Sequence, residues 1–169
     1  MAALVYIVDA TALLAKWVLL VPRAYTTSLV AAEARDQESR QATETAIQLG
    51  KLVVVDPPRE YITRAVEEAR RLGLQSSLSE ADLSVAALAL MARDEGSTVV
   101  VVTDDYALQN LLSHLSIRFM PLRTRGIREE RSYVVKCPAC GYVSTKPGET
   151  RCPVCGTPLR RYRRRRATK

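Results

Sequence analysis

Apolar residues occur along this chain in two kinds of run, short continuous ones and longer ones with helical spacing. Residues 2–8 and 98–102 are almost continuously apolar and rich in β-branched side chains. Such runs are typical of strands covered on both faces of a parallel sheet. Residues 52–55 and 117–120 are shorter runs of the same kind. The pattern therefore predicts four strands.

The segments between these runs carry helical patterns. The clearest helix start is Ser79, a hydroxyl N-cap that acids follow in the first turn. Gly50 and Gly73 follow two other helical segments, as C-caps do. The predicted helices are residues 10–20, 28–35, 38–49, 57–71, 79–95 and 106–114. Helices that alternate with strands in this way predict an α/β domain with a mainly parallel central sheet flanked by helices.

Charge divides the chain into two parts. The 169 residues carry a formal net charge of +7, but residues 121–169 hold 14 Lys and Arg against three acids, whereas residues 1–120 carry a net charge of −4. This asymmetry indicates a catalytic or metal-binding domain joined to a module that binds a polyanion. We place the domain at residues 1–122, a charged linker at 123–131, a small module at 132–160 and a basic tail at 161–169.

The longest strongly apolar stretch is too short to suggest a membrane span. Residues 10–21 contain Lys16 and number 12, whereas a spanning helix needs about 20 apolar residues. No basic segment precedes the stretch, as one would in a secretory signal. The sequence therefore predicts a cytoplasmic protein.

All four cysteines of the chain lie in the small module, in the pattern CPAC-x11-CPVC. The two-residue spacing lets two thiolates of one tight turn reach the same cation, and two such turns complete a tetrahedral shell of four sulfur atoms. Disulfides or redox-active thiols are the alternatives, but the chain is predicted to be cytoplasmic, where disulfides are rare, it has no other cysteines, and a module of about 35 residues buries too little core to fold unaided. The prediction is one structural zinc ion, with no open position for catalysis, bound by Cys137, Cys140, Cys152 and Cys155.

Acidic residues directly follow two of the predicted strands. Asp9 ends the first apolar run, and Asp104 and Asp105 follow the VVVVT segment. Ligands of open α/β sheets bind at the carboxyl ends of the strands, so these acids would meet if the two strands are neighbours. Glu33 interrupts an apolar helical run, and Asp82 stands in the first turn of the Ala/Leu-rich helix.

Clustered carboxylates repel one another unless a cation offsets their charge. Sites made only of oxygen suit Mg²⁺ or Mn²⁺, which can activate water for phosphodiester hydrolysis. Each acid also has a plainer interpretation, Asp9 and Asp104 as helix N-caps, Asp82 as a partner of the helix dipole and Glu33 as a solvated residue. No glycine-rich phosphate loop is present, and the single histidine lies on an apolar helix face. The acids as a set favour a metal-dependent hydrolase.

Four segments resemble the acidic motifs of PIN-domain nucleases, namely VDATALL, TTSLVAAEARD, LSEADLSVAALAL and VVTDDYALQN. With the cysteine pairs behind them, nearly the whole chain resembles the archaeal PIN endonucleases that mature the 3′ end of small-subunit ribosomal RNA. The resemblance implies a PIN-like domain with a zinc ribbon, and Mg²⁺- or Mn²⁺-dependent cleavage of single-stranded RNA that leaves 5′-phosphate and 3′-hydroxyl ends. It implies Asp9, Glu33 and Asp82 as metal-binding acids, with either Asp104 or Asp105 as the fourth. The T-x-D pattern common in PIN domains favours Asp105.

The basic residues of the C-terminal part are predicted to contact RNA phosphates, with an affinity that depends on salt and little on base sequence. Tyr142 or Tyr162 could stack on an unpaired base. A solvated tail that only aids solubility is the alternative, which six arginines within seven residues disfavour. The predicted RNA contacts are Lys136, Lys146, Arg151, Arg160, Arg161, Arg163, Arg164, Arg165 and Arg166.

Three functions are consistent with these features. The first is a metal-dependent, single-strand-specific endoribonuclease that matures small-subunit ribosomal RNA on a pre-ribosomal particle. The second is a toxin-type PIN ribonuclease, which the zinc ribbon and the motif residues Gln109 and Asn110 disfavour. The third is a non-catalytic RNA-binding assembly factor whose acids only cap helices. We expect the first.

Overall fold

A computed structural model describes residues 3–127, 131–146 and 149–164, which form an α/β domain and a small C-terminal module. The domain consists, in chain order, of β1 (Leu4–Val8), α1 (Ala10–Leu14), a 3₁₀ turn (Trp17–Leu20), β2 (Ala24–Thr26), α2 (Ser28–Ala32), α3 (Gln37–Gln48), β3 (Leu52–Val54), α4 (Arg59–Arg71), α5 (Glu80–Asp94), β4 (Thr98–Val102), α6 (Tyr106–His114) and β5 (Arg118–Met120). The module contains β6 (Tyr133–Lys136) and β7 (Arg160–Arg163).

The five strands of the domain form one parallel sheet in the order β3-β2-β1-β4-β5. β1 pairs with β4 over its full length, from Leu4 opposite Thr98 to Val8 opposite Val102. The chain runs outward from β1 to β2 and β3 and then returns to the other side of β1, so the strand order reverses between β1 and β4. Loops diverge at such a point and leave a crevice at the carboxyl edge of the sheet. The predicted α/β fold with a parallel sheet is confirmed.

The centre of the core is α5, which contacts β1, β4, α4 and α6. Nine of its fifteen residues are buried, and six of those nine are alanine or serine. Small side chains allow the surrounding elements to approach closely, and burial on most sides explains why this segment is apolar nearly all round. Within the described ranges, no helix combines the length and apolar character needed to cross a membrane.

Two elements differ most from the prediction. The helix expected over residues 10–20 ends at Leu14, and a 3₁₀ turn follows Lys16, which has a φ of 56°. A residue in the left-handed region interrupts the helical hydrogen bonds. β2 was not predicted, because its residues Ala24–Thr26 are flanked by Arg23 and Thr27 and do not form a continuous apolar run.

The C-terminal module packs against the end of α4 through main-chain atoms. The N–H of Tyr133 donates to the carbonyl oxygen of Leu72 at 2.7 Å. Gly73 has a φ of 68°, and a Cβ atom there would lie 2.4 Å from the carbonyl oxygen of Tyr133. Glycine at this position is therefore required both by the C-cap of α4 and by the close approach of β6.

Two buried amide side chains of α6 hold the linker. Nε2 of Gln109 donates to the carbonyl oxygen of Thr103 at 2.9 Å, and its Oε1 accepts the N–H of Ile127 at 3.0 Å. The amide of Asn110 pairs in the same way with the N–H and the carbonyl oxygen of Arg131. Buried amides need such partners. Gln109 and Asn110, the motif residues that disfavour a toxin-type nuclease, thus fix the linker on the domain.

Candidate active site and metal centre

Asp9 lies at the end of β1 and caps α1. Its Oδ1 accepts the hydroxyl of Thr11 at 2.7 Å and the N–H of Ala12 at 3.0 Å, and the residue is only 4% exposed. Burial raises the pKa of Asp9, hydrogen bonds from Thr103, Thr11 and Ala12 offset part of this rise, and the negative charge of Asp82 adds to it. Asp9 is therefore the N-cap of α1, as one interpretation of the sequence predicted. It is also a buried carboxylate whose pKa is raised in part by Asp82.

Asp82 reaches the same region from the first turn of α5. Its Oδ2 accepts the N–H and the hydroxyl of Ser79, each at 2.8 Å, and the N–H of Asp82 donates to Oγ of Ser79 at 3.1 Å. This reciprocal capping box fixes the side chain. The cap occupies one carboxylate oxygen, so the other oxygen takes no part in it.

The carboxylate of Asp104 is directed at the linker. Its Oδ1 accepts the N–H groups of Leu122, Arg123 and Thr124 at 2.8, 2.9 and 3.1 Å. Burial alone would raise the pKa of Asp104, but these N–H donors outweigh it and hold the pKa below its ordinary value. Asp104 therefore ties the start of the linker to the end of β4.

The carboxylate of Asp105 is directed at its own helix, α6. Its Oδ1 caps α6 by accepting the N–H of Leu108 at 2.7 Å, and its own N–H donates to Oγ1 of Thr103 at 3.0 Å. Thr103 also bonds the carboxylate of Asp9. The main-chain N–H groups of Asp104 and Asp105 thus each donate to a threonine beside Asp9, Thr11 and Thr103 respectively. The two acids differ in their carboxylates, since that of Asp104 binds the linker and that of Asp105 caps α6.

Glu33 lies at the rim of this region. It caps the C-terminus of α2, which ends earlier than the predicted residue 35, and its side chain is exposed. Together with Ala10 and Leu14 it lines a small hollow between α1 and α2. This places Glu33 beside the first turn of the helix that Asp9 caps.

The acids of the carboxyl edge offer only oxygen atoms, the ligands that Mg²⁺ and Mn²⁺ prefer. Among the described residues they do not converge on one point as the cysteines do. Mg²⁺ commonly binds through one or two carboxylates, several waters and a substrate phosphate, and so does not need a closed cage. The buried charge of Asp9 beside Asp82 is one that a cation would offset. The donor set therefore fits such an ion.

The hydroxyl residues around Asp9 were not singled out from the sequence. Thr11 and Thr103 both bond its carboxylate, and Oγ1 of Thr11 also accepts the N–H of Asp104 at 3.3 Å. A signal for them was present. One threonine stands two residues after Asp9, the other directly precedes Asp104, and both lie in apolar segments, where a buried hydroxyl needs a partner.

The four cysteines of the C-terminal module come together. The Sγ atoms of Cys137 and Cys155 lie 3.4 Å apart, those of Cys140 and Cys152 3.5 Å, and those of Cys155 and Cys140 3.6 Å. A disulfide requires a distance of about 2.05 Å, whereas tetrahedral zinc, with Zn–S bonds of about 2.3 Å, separates the sulfur atoms by about 3.8 Å. The cluster therefore fits a single four-coordinate metal ion in a zinc ribbon.

A glycine closes the turn of each cysteine pair. The N–H of Gly141 donates to the carbonyl oxygen of Cys137 at 3.1 Å, and the N–H of Gly156 donates to that of Cys152 at 2.9 Å. The φ angles of the two glycines are 78° and 73°, in a region that other residues rarely adopt. The two turns thus repeat one geometry.

Comparison with known proteins now identifies the family. The family described as "PIN domain of ribonuclease" matches residues 6–91. Endoribonuclease Nob1 of Pyrococcus abyssi is 38% identical over 143 residues, which are 83% of this chain and 84% of that protein. The chain belongs to the Nob1 endoribonuclease family. Endoribonuclease Nob1 of Methanothermobacter thermautotrophicus is 34% identical over 142 residues, 83% of this chain and 82% of that protein.

The length of the Nob1 matches is informative. They cover about 140 of the 169 residues, more than the 136 residues that precede the first cysteine. They therefore extend into the zinc-ribbon module. Ribonuclease VapC3 of Aeropyrum pernix is 46% identical over 94 residues, 56% of this chain and 68% of that protein, a length that fits within the PIN domain. The resemblance drawn from the acidic motifs and cysteine pairs is confirmed.

The β6–β7 hairpin of this Nob1-family ribbon places its basic residues on two faces. Lys136 pairs with Arg160, and its Nζ lies 4.8 Å from the ring centre of Tyr162. The guanidinium of Arg161 lies 3.9 Å from the ring centre of Tyr133, on the other face. β7 extends past residue 160, so the predicted boundary between ribbon and tail falls inside a strand. Of the other predicted RNA contacts, Lys146, Arg151, Arg163 and Arg164 are exposed, and Arg165 and Arg166 lie outside the described residues.

Proposed function

We propose that this chain is an endoribonuclease that hydrolyses single-stranded RNA with Mg²⁺ or Mn²⁺ at the carboxyl edge of the parallel sheet. The observation that carries the proposal is the buried carboxylate of Asp9, which lies near Asp82 at the switch between β1 and β4 in a chain of the Nob1 family. In this proposal the acids that hold the ion are Asp9, Glu33, Asp82 and Asp105, and the cysteine cluster holds a structural zinc ion.

Three of the four proposed acids are held in place by hydrogen bonds before any substrate binds. Thr11 and Thr103 hold the carboxylate of Asp9, while Asp82 and Asp105 are oriented by the caps they form on α5 and α6. A divalent ion bound here supplies an activated water and stabilises the leaving oxygen. In the hydrolysis, water attacks phosphorus and the bond from phosphorus to the 3′ oxygen breaks. The products carry a 5′-phosphate and a 3′-hydroxyl.

We further propose that the substrate is the 3′ end of small-subunit ribosomal RNA on a pre-ribosomal particle in the cytoplasm. The support is the similarity to Endoribonuclease Nob1 proteins, which extends into the ribbon. The toxin-type alternative rests on the shorter VapC3 match and does not account for a linker held by Gln109 and Asn110. The non-catalytic alternative gives no reason to bury Asp9 near Asp82, because a helix cap functions equally well when exposed.

Incubation of the full chain with a labelled RNA that spans the small-subunit 3′ end tests this function. We expect one main cut with Mn²⁺ or Mg²⁺ and none without a divalent ion. The same RNA annealed to its complement across the cut site is the control, and it should resist cleavage. No cleavage with any divalent ion would contradict the proposal, and so would a rate that does not depend on one. Equal cutting of unrelated single strands at many positions would favour the toxin-type alternative.

Asp105→Asn and Asp104→Asn are expected to have opposite consequences. Asn caps a helix as well as Asp does, so Asp105→Asn keeps α6 and removes only the charge. We expect it to slow cleavage about a hundredfold or more, the effect of roughly 3 kcal/mol of lost metal-ion stabilisation. Asp104→Asn should keep the rate within about tenfold and lose about 1–2 kcal/mol of stability, because its N–H donors then face a neutral acceptor.

Stability curves in urea at several pH values separate the two roles. The folded pKa of Asp104 is lowered, so its contribution is present at neutral pH and is lost as the pH falls through its ordinary pKa towards the folded one. The stability difference between the wild type and Asp104→Asn should therefore shrink in acid. Asp105→Asn should unfold like the wild type. Full activity in Asp105→Asn combined with none in Asp104→Asn would reverse our assignment of the fourth acid.

A further inference from the structure

A cleft of about 870 Å³ opens between the first turns of α6 and the β6–β7 hairpin. Its walls include Tyr106, Arg125, Arg131, Tyr133 and Arg161. We propose that this cleft binds the single-stranded RNA next to the scissile phosphate, with a base stacked on Tyr106 and phosphates on the arginines. The inference rests on the proposed function, since it states where the substrate of that site lies.

The charge of the cleft points to an anionic occupant. It is lined by three guanidinium groups and, among the described residues, by no carboxylate. Like charges brought to one concavity repel one another, and the potential they create attracts anions. Arginine is also the side chain best suited to phosphate, which it can bind with two parallel N–H donors. RNA phosphates match this chemistry.

Arg161 is positioned by side chains from both modules. Its guanidinium stacks on Tyr133 and donates to Oγ of Ser77, in the loop before α5. A guanidinium has five N–H donors, so the bond to Ser77 leaves others for a phosphate. Because the side chain is already ordered, little of its conformational freedom remains to be lost when RNA binds.

Tyr106 is the aromatic side chain that the cleft offers to a base. It is 53% exposed, although it is the first residue of α6. Stacking of bases on such rings is a main contact of proteins with single strands. The tyrosines proposed from the sequence have other partners, since Tyr142 donates its hydroxyl to Glu149 at 3.2 Å and Lys136 covers the ring of Tyr162.

Along α6, the lining of the cleft begins one residue after Asp105 in the chain. Asp105 caps this helix, and Tyr106 and Asn110 line the cleft on its next turns. An RNA strand whose scissile phosphate lies at the acids therefore reaches the cleft with its neighbouring nucleotides. The volume lies within the range of roughly 300–1,000 Å³ that is usual for ligand sites, which is enough for a base with its phosphates.

RNA affinity can be tested separately from cleavage. The parent is the full-length Asp9→Asn chain, without added Mg²⁺ or Mn²⁺ and without a chelator, so that the ribbon stays intact. The probe is a fluorescent oligouridylate of about eight nucleotides, a length in the usual site range, measured by fluorescence anisotropy. In this background Tyr106→Ala should weaken binding about tenfold, and Tyr106→Phe, which keeps the ring, by no more than about twofold. A duplex of the same length should bind with an affinity that does not depend on Tyr106.

The arginines are tested through the salt dependence of binding. Arg125→Gln/Arg131→Gln should reduce the slope of log affinity against log salt by about 1.4, because each single-strand phosphate contact contributes about 0.7. The matched control is Arg23→Gln/Arg118→Gln, which removes the same charge at exposed positions towards the amino edge of the sheet. It should leave the slope unchanged.

The outcomes separate the cleft from the proposed function. The cleft inference fails if the parent does not bind the probe, if the Tyr106 and arginine variants bind like the parent, or if the control pair loses as much. In each of these cases the wild type can still cut RNA. Conversely, cleft variants that lose affinity in a chain that cuts no RNA would support the cleft and refute the nuclease.

Discussion

Asp9→Asn is expected to slow RNA cleavage by about a thousandfold or more while making the protein more stable in divalent-free buffer. The rate falls because the ion loses one negatively charged ligand. The ion lowers the barrier to hydrolysis by several kcal/mol, and about 1.4 kcal/mol corresponds to a factor of ten in rate. Single-turnover rates with Mn²⁺ measure this effect. A variant that cuts like the wild type would refute the assignment of the acids.

The gain in stability follows from the raised pKa of Asp9. Burial is the main cause of the rise, so the folded state favours the neutral carboxyl. The stability that this preference contributes is fully present below the pKa of the unfolded chain, near 3.8, and is lost as the pH rises through the pKa of the folded protein. At pH 7 the buried charge therefore costs stability. Asn removes that charge and can still cap α1.

Thermal unfolding at pH 7 and near pH 4 measures this difference in stability. The variant should melt higher at pH 7, the two proteins should converge in acid, and Mn²⁺ should raise the melting temperature of the wild type more than that of the variant. Asp36→Asn is a matched control, because Asp36 caps α3 in the same way but is exposed, and its pKa is lowered by the hydroxyl and N–H of Ser39. It should not stabilise the protein. A wild type that melts above Asp9→Asn without divalent ions would contradict this account.

Cys137→Ser/Cys140→Ser is expected to unfold the ribbon and leave the PIN domain folded. The module has too little core of its own, and a structural zinc site supplies about 10–16 kcal/mol of folding free energy. The wild type should contain one equivalent of zinc and the variant none. Hydrogen exchange should show the β6–β7 amides protected only in the wild type.

Val154 provides the control for these cysteine substitutions, because it lies in the second cysteine turn and is 70% exposed. Val154→Ser introduces the same residue type without removing a ligand, and should keep both the zinc and the protected hairpin. The zinc-free variant should also bind RNA more weakly, because Arg161 loses its position over Tyr133. Full protection of β6 and β7 in the absence of zinc would show that the metal is dispensable.

The parts predicted correctly from the sequence are those with a local signal. β1 and β4 are continuous apolar runs because the sheet covers both of their faces, and α5 is apolar nearly all round because it is buried nearly all round. The cysteine pairs form their turns within a few residues of chain. Asp9 could be placed at the carboxyl edge because it directly follows a strand.

The parts that the sequence did not predict depend on contacts between distant residues. Asp104 and Asp105 are identical neighbours, and the sequence does not show that the carboxylate of Asp104 binds the N–H groups of residues 122–124. The contacts of Tyr133 with Leu72 and of Arg161 with Ser77 join residues far apart in the chain, and no sequence pattern indicates them. The cleft between the modules follows from these contacts, so it was not foreseen either.

The amide pair on α6 also bears on whether the C-terminal half of the chain can be exchanged for another module. Without the linker, Gln109 and Asn110 would lose three hydrogen bonds, and an unmatched buried polar group costs about 1–3 kcal/mol. A different RNA-binding module could therefore replace the ribbon only if its linker also paired with these two amides.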